Sequence, residues 1–225
     1  MAYNFRKEQK ELYVPGKNPS LINVPMMKYL AVRGHGDPNQ ENSEYKKAIE
    51  KLYAVAYTIK MSKKGTYQIP DYFDFVVPPL EGLWWQDGIT GIDYAHKEMF
   101  SFIAMIRLPN FVTQDVFDWT IQEAGEKKQL DLHNVEFLSM QEGLCVQALH
   151  IGSYDNEPAT IDKIHKFIEK QGLQVDINDD RHHHEIYLSD PRRTKIENLK
   201  TVLRNSGKKQ LKTLLIGEQK KHQKL

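Results

Sequence analysis

The sequence predicts an α+β fold: a duplicated strand–helix–strand–strand module, its antiparallel sheet carrying helices on one side, with a pseudo-two-fold cleft between the halves. Three observations predict it. Apolar residues recur at three- and four-residue steps in windows of helical length, 43–61, 113–128 and 158–170. Between them lie short runs rich in β-branched and aromatic residues, bounded by Gly, Pro and Asn. One order also occurs twice, about 120 residues apart. It is strand, glycine turn with an aspartate, then helix: 26–33, Gly34-His35-Gly36-Asp37, 43–61, and again 144–151, Gly152-Ser153-Tyr154-Asp155, 158–170. Helices on one side of an antiparallel sheet are a stable layer arrangement, and the junction of two such lobes forms a natural pocket.

Each element follows in order. Residues 1–25 hold a charged segment and then Pro15-Gly16 and Asn18-Pro19, which read as an extended lead-in. A strand over 26–33 ends at the glycine turn. The helix 43–61 carries Ala48, Ile49, Leu52, Val55, Ala56 and Ile59 on one face and is stopped by Lys63-Lys64-Gly65. Two strands, 72–77 and 80–85, bracket Pro78-Pro79. The run 99–108 is almost continuously apolar and reads as a strand buried on both faces. Thr113 caps the next helix. Residues 135–140 and 144–151 read as a hairpin across Gln141-Glu142-Gly143. Pro158 sits in the first turn of the following helix, where proline is tolerated. Residues 175–181 read as loop, 185–188 as a strand, 194–203 as a last helix, and 206–225 as a basic, solvated tail. The whole chain, 1–225, reads as one domain with pseudo-repeats at about 24–110 and 111–205.

Charge is balanced, 31 Lys and Arg against 30 Asp and Glu, so the overall field argues for neither nucleic acid nor a membrane surface. The lone Cys145, in an apolar run, excludes an intrachain disulfide and reads as a small buried hydrophobe of a reducing compartment. The polar N-terminus and the lack of any stretch near the ~18 apolar residues of a membrane span predict a cytoplasmic protein. The sequence carries no signal for an oligomeric state.

The candidate site starts from the strand at 185–188. Alternation puts Ile186 and Leu188 on one face, Glu185 and Tyr187 on the other. An acid and a phenol on a rigid strand, if they line a cleft, form a binding or catalytic pair. Burial disfavours a charged carboxylate, which makes it a better proton acceptor near neutral pH or a counter-ion for a cation. Trp84 and Trp85 point to opposite faces of their strand, so at most one meets the cleft. Tyr53 and Tyr57 are one helical turn apart and fit either the cleft or the core. Trp119 has the same two readings. The run Asp179-Asp180-Arg181-His182-His183-His184-Glu185 has metal-ligand residue types. However, His182 and His184 would face away from Glu185, and no distant pair completes a tetrahedral set, so neither metal nor other cofactor is expected. Ser139 and Ser153 lack a nucleophile elbow.

Three stretches resemble the GyrI-like small-molecule-binding proteins: Leu80-Glu81-Gly82-Leu83-Trp84-Trp85, Met105-Ile106-Arg107-Leu108-Pro109-Asn110-Phe111-Val112-Thr113, and His184-Glu185-Ile186-Tyr187-Leu188-Ser189-Asp190-Pro191-Arg192-Arg193-Thr194. The likeness spans about residues 20–205. It implies a pocket glutamate at Glu185, aromatic walls at Trp84, Trp85 and Tyr187, and a bulky aromatic or cationic organic ligand. Tyr53, Tyr57, Trp119 and His184 are further candidates for ligand contact. Some stand-alone members are implied to hydrolyse cyclopropane-bearing DNA alkylators. On that reading Glu185 activates water and Tyr187 stabilises charge on the conjugated carbonyl. A sequestering protein without turnover is the alternative. No helix-turn-helix or basic reading element is discernible, which disfavours direct DNA binding.

Overall fold

The structure is a computed structural model and describes residues 1–89 and 91–209. The elements are α1 (Phe5–Glu8), α2 (Lys10–Tyr13), β1 (Ser20–His35), α3 (Glu44–Met61), β2 (Leu80–Trp85), β3 (Ser101–Arg107), α4 (Gln114–Lys128), β4 (Glu136–Ile151), α5 (Pro158–Lys170), β5 (Leu173–Val175), β6 (His183–Tyr187) and β7 (Lys200–Lys209). Local chemistry sets the main helix starts. The Ser43 and Thr113 side chains accept from the backbone N–H of Lys46 and Val116, and Pro158 opens α5.

The strands run in the order β4-β1-β3-β2-β6-β7-β5, and β4 also pairs with β7. All these pairings are antiparallel, and the extra one closes six strands into a barrel-like ring, with β5 held only on the far end of β7. The duplication is plain in the order: β1-α3-β2-β3 in one half, β4-α5-β6-β7 in the other. The halves meet along two seams that relate like to like, β1 with β4 and β2 with β6. Helix α3 packs on β1 and β3, α5 on β4 and β7, and α4 on α3. The larger core cluster joins α3 and α4 to the sheet; a smaller one, Val146, Ala148, Ile164, Ile168 and Leu203, lies under α5.

Several expectations are corrected. The hairpin across 141–143 is one 16-residue strand, because both flanks keep a single register on β1, from Ser20 opposite Gln147 to Ala31 opposite Glu136. Gly143, at φ +65°, bends the strand without reversing it. The last helix over 194–203 is a turn at Ile196–Asn198 and then β7. Its apolar spacing mimicked a helix, but pairing with β4 and β6 closes the ring. Residues 72–77 form no strand, only a bridge from Phe75 to Tyr3. The lead-in contains α1 and α2, and β1 begins at Ser20. The Glu185 strand starts two residues earlier, at His183. Lys208 and Lys209 belong to β7; the rest of the expected tail, 210–225, lies outside the described residues. Cys145 is buried, with burial pushing its thiol up to about 11. Among the described residues no helix is long and apolar enough to cross a membrane.

Candidate active site

Strands β2 and β6 pair with Gly82 opposite Glu185 and Trp84 opposite His183. Directly opposed residues share a face, so Trp84, His183, Glu185 and Tyr187 all look toward α3 and α5. There they meet side chains from elsewhere in the chain. Tyr45 of α3 lies 4.9 Å from Trp84, and Tyr154 lies edge-on 5.9 Å from Tyr187. The helix-capping Glu157 of α5 brings its carboxyl within 4.8 Å of His183 and Glu185.

The hydrogen bonds are specific. The Tyr187 hydroxyl donates to Glu185 Oε2 at 2.8 Å and accepts from Trp84 Nε1 at 2.8 Å. This needs Gly82: a Cβ there would sit 2.6 Å from Trp84 Nε1 and 3.1 Å from the Tyr187 hydroxyl. His183 Nδ1 donates to Asn205 Oδ1 at 2.6 Å, and the Asn205 amide donates to His165 Nε2 of α5 at 2.7 Å. His183 Nε2 lies 3.5 Å from Glu185 Oε1.

Burial, and then the charge of adjoining Glu185, push the Glu157 carboxyl well above the usual carboxylate range. Burial and then Glu185 push the Tyr187 phenol far up, and burial, Glu157 and then Glu185 push Tyr154 to about 12, keeping both phenols neutral. Neither Glu157 oxygen nor the Tyr94 hydroxyl has a hydrogen-bond partner, although both groups are buried. Tyr94 lies in the segment 91–100, which the buried Gln86 braces by bonding Asp93 and the His96 carbonyl. Lys97 ties the segment to Asp155 at 2.6 Å.

The other candidates lie elsewhere. His184 is on the opposite face of β6, fully buried, bonded to Glu81 at 3.0 Å and to Glu142 at 2.9 Å. Trp85 stacks on His182 at 4.0 Å. Trp119 stacks on Tyr67 at 4.2 Å and, with the exposed Tyr57, lines a groove of about 390 Å³ between α3 and α4. Tyr53 packs 6.1 Å from Tyr57. A second surface cavity, about 530 Å³, lies by Gln9, Met26 and Arg107, also away from Glu185. Sequence reasoning missed Glu157, His183, Tyr94 and Asn205. Only the repeat hinted at Glu157, since the second glycine turn leads straight into it.

A family model for the GyrI-like small molecule binding domain matches residues 17–204. The chain belongs to this family. A crystal structure of a hydrolase from Listeria innocua is 42% identical with TM-score 0.84, covering 92% of this chain and 100% of that one. An uncharacterized conserved protein from Listeria innocua is 44% identical with TM-score 0.87, over the same shares. The C-terminal domain of EcmrR, at 12% identity and TM-score 0.54 over 86% of this chain and 98% of that one, shares the fold. No curated protein matches.

Proposed function

We propose that this GyrI-like protein is a detoxifying hydrolase that opens the cyclopropane ring of electrophilic, aromatic DNA-alkylating natural products. The observation that carries the reading is the pair of buried carboxyls, Glu157 and Glu185, brought within 4.8 Å of His183 and of each other beside Trp84, Tyr154 and Tyr187. Adjoining carboxyls driven apart in proton affinity divide into an acid and a base. The Listeria innocua hydrolase at 42% identity supports the reaction class.

Glu185 takes a proton from water through Oε1, the oxygen that Tyr187 leaves free. The water oxygen bonds to a ring carbon, and the strained C–C bond breaks. Its electron pair passes into the conjugated carbonyl, which takes the proton of Glu157. One water is added, and proton exchange between the carboxyls resets the pair. Tyr94, with its unpartnered hydroxyl, donates to the carbonyl as charge develops. Tyr187 orients Glu185 beyond the donor role read from sequence.

The test is a multiple-turnover assay with an excess of cyclopropane-bearing alkylator, reading ring-opened product by mass spectrometry. The parent turns over many times. Glu185→Gln and Glu157→Gln each lose ~10²–10⁴ in rate, typical of general acid–base groups, while ligand-induced quenching of tryptophan fluorescence persists. An unchanged rate in both variants sinks the mechanism. Product capped at one per chain favours a second reading, sequestration of bulky aromatic or cationic drugs, which the rings around two carboxyls also suit.

A further inference from the structure

We propose that Glu157, His183 and Glu185 form a binding site for one divalent transition-metal ion of the zinc type. One ligand atom from each residue lies within 4.8 Å of the others, and all three residues are buried. The observation that points to a ligand is the lack of partners. Both Glu157 oxygens and His183 Nε2 are buried without a hydrogen bond among the described residues, a condition few native polar atoms tolerate. The carbonyl oxygen of Asn205 can only accept, so the His183 proton resides on Nδ1. In the neutral ring this leaves the Nε2 lone pair facing the carboxyls.

The spacing suits a tetrahedral ion. His183 Nε2 and Glu185 Oε1 are 3.5 Å apart, and two ligands ~2.0–2.2 Å from zinc are separated by about 3.3–3.5 Å. The Glu157 carboxyl, within 4.8 Å of both, supplies the third ligand atom. The groups behind the ligands are also those of a metal site. Asn205, itself held by His165, fixes the His183 ring, and Tyr187, itself held by Trp84, fixes Glu185. One imidazole and two carboxylates suit zinc-like ions better than calcium or magnesium, which take six or more oxygens. Three protein ligands leave a fourth position for water. An ion here and the proton of Glu157 exclude one another, so a loaded chain lacks the acid of the proposed reaction. Binding itself does not depend on that reaction.

The experiment titrates chelator-stripped full-length protein with Co²⁺ and follows visible absorption, then displaces Co²⁺ with Zn²⁺. One Co²⁺ per chain with an intense tetrahedral-type band is expected. The band is lost in Glu157→Gln and in His183→Gln, and affinity falls about 10–100-fold in Asn205→Ala. Removing the exposed His96 or His133, which sit beside Asp93 and Asp131, leaves it unchanged. Circular dichroism checks the fold of each variant. If His183→Gln does not fold, Glu157→Gln, which breaks no hydrogen bond, decides alone. Absence of a band in the parent, or a band that survives Glu157→Gln, overturns the proposal.

Discussion

Glu157 shows the signature of a residue retained at the expense of stability. Its raised proton affinity means that the folded chain binds a proton that the unfolded chain releases above its ordinary value of 4.5. The folded state is therefore penalised progressively as pH rises above that value. Glu157→Gln removes the penalty, so the variant is expected to be more stable than the parent at pH 7. The difference should vanish below pH 4.5, as urea denaturation at both pH values will read. A parent that is the more stable at pH 7 would contradict the assignment. Gly82 makes the complementary case, because its missing side chain makes room for Trp84 and Tyr187. Gly82→Ala is expected to cost about 1–3 kcal/mol by overpacking. It also lowers turnover by ~10²-fold, since shifting Tyr187 misplaces Glu185. Steady-state kinetics beside thermal denaturation separate the two effects. Tyr187 was legible beside Glu185 because strand alternation fixes their common face; the choice of Trp84 over Trp85 was not, because it depends on the register of β2 against β6. Glu157 was not, because nothing local to a helix start announces which distant strand its side chain will meet.

At the scale of elements, the ring is tied on its other face by a buried cluster of charges. Arg204 of β7 reaches Glu142 of β4 at 2.7 Å, Gln147 at 3.0 Å and the Leu12 carbonyl of α2 at 2.8 Å. His184 of β6 bridges Glu142 and Glu81 of β2. Removing one member strands the others, so Arg204→Leu is expected to lose about 3–5 kcal/mol, read as a fall in urea midpoint. Glu142→Gln beside it recovers part of the loss. The cluster also sets the pH range of stability. Burial opposes the charge on Glu142, but His184 and Arg204 outweigh it and hold the carboxyl down at about 2, from an ordinary 4.5. Its contribution is complete above pH 4.5 and is lost as pH falls toward 2. Burial likewise opposes the charge on His184, yet Glu142 and Glu81 raise it from 6.5 to about 9. That contribution is complete below pH 6.5 and is lost as pH rises toward 9. In Glu157→Gln, which lacks the overlapping penalty above pH 4.5, urea midpoints should form a plateau between pH 4.5 and 6.5 and fall on both sides. Glu142→Gln flattens the acid limb, and an acid limb unchanged by that substitution would refute the account. His184 was read as a ligand-contact candidate because its face depends on where the strand begins and on what the strand closes against.

For the whole molecule, closure makes the halves interdependent. Each repeat alone would bare two sheet edges, β1 and β2 in one half, β4 and β6 in the other. Fragments covering residues 1–112 and 113–225 are therefore each expected to lack cooperative thermal unfolding when isolated, and to regain it when mixed. Circular dichroism of the three samples decides this, and independent folding of either half would show that the seams are dispensable. The candidate active site lies on one of these seams, with Trp84 from the first repeat and Glu157, His183, Glu185 and Tyr187 from the second. Neither repeat holds it alone.

Periodicity and turn chemistry by themselves determined the helices at 44–61, 114–128 and 158–170, the repeat, and the shared face of Glu185 and Tyr187. These depend on spacings of a few residues, which are written directly in the chain. Only the tertiary structure decided that residues 200–209 are a strand, that 136–151 runs unbroken, and that Glu157 and His183 join Glu185. Each of these depends on partners far away along the chain: β7 takes its form from pairing with β4 and β6, and the carboxyl pair from α5 packing on β4 and β7, which brings Glu157 at its start to Glu185. A buried site assembled from two repeats is a product of closure, and closure is a property of the packed ring rather than of any one segment.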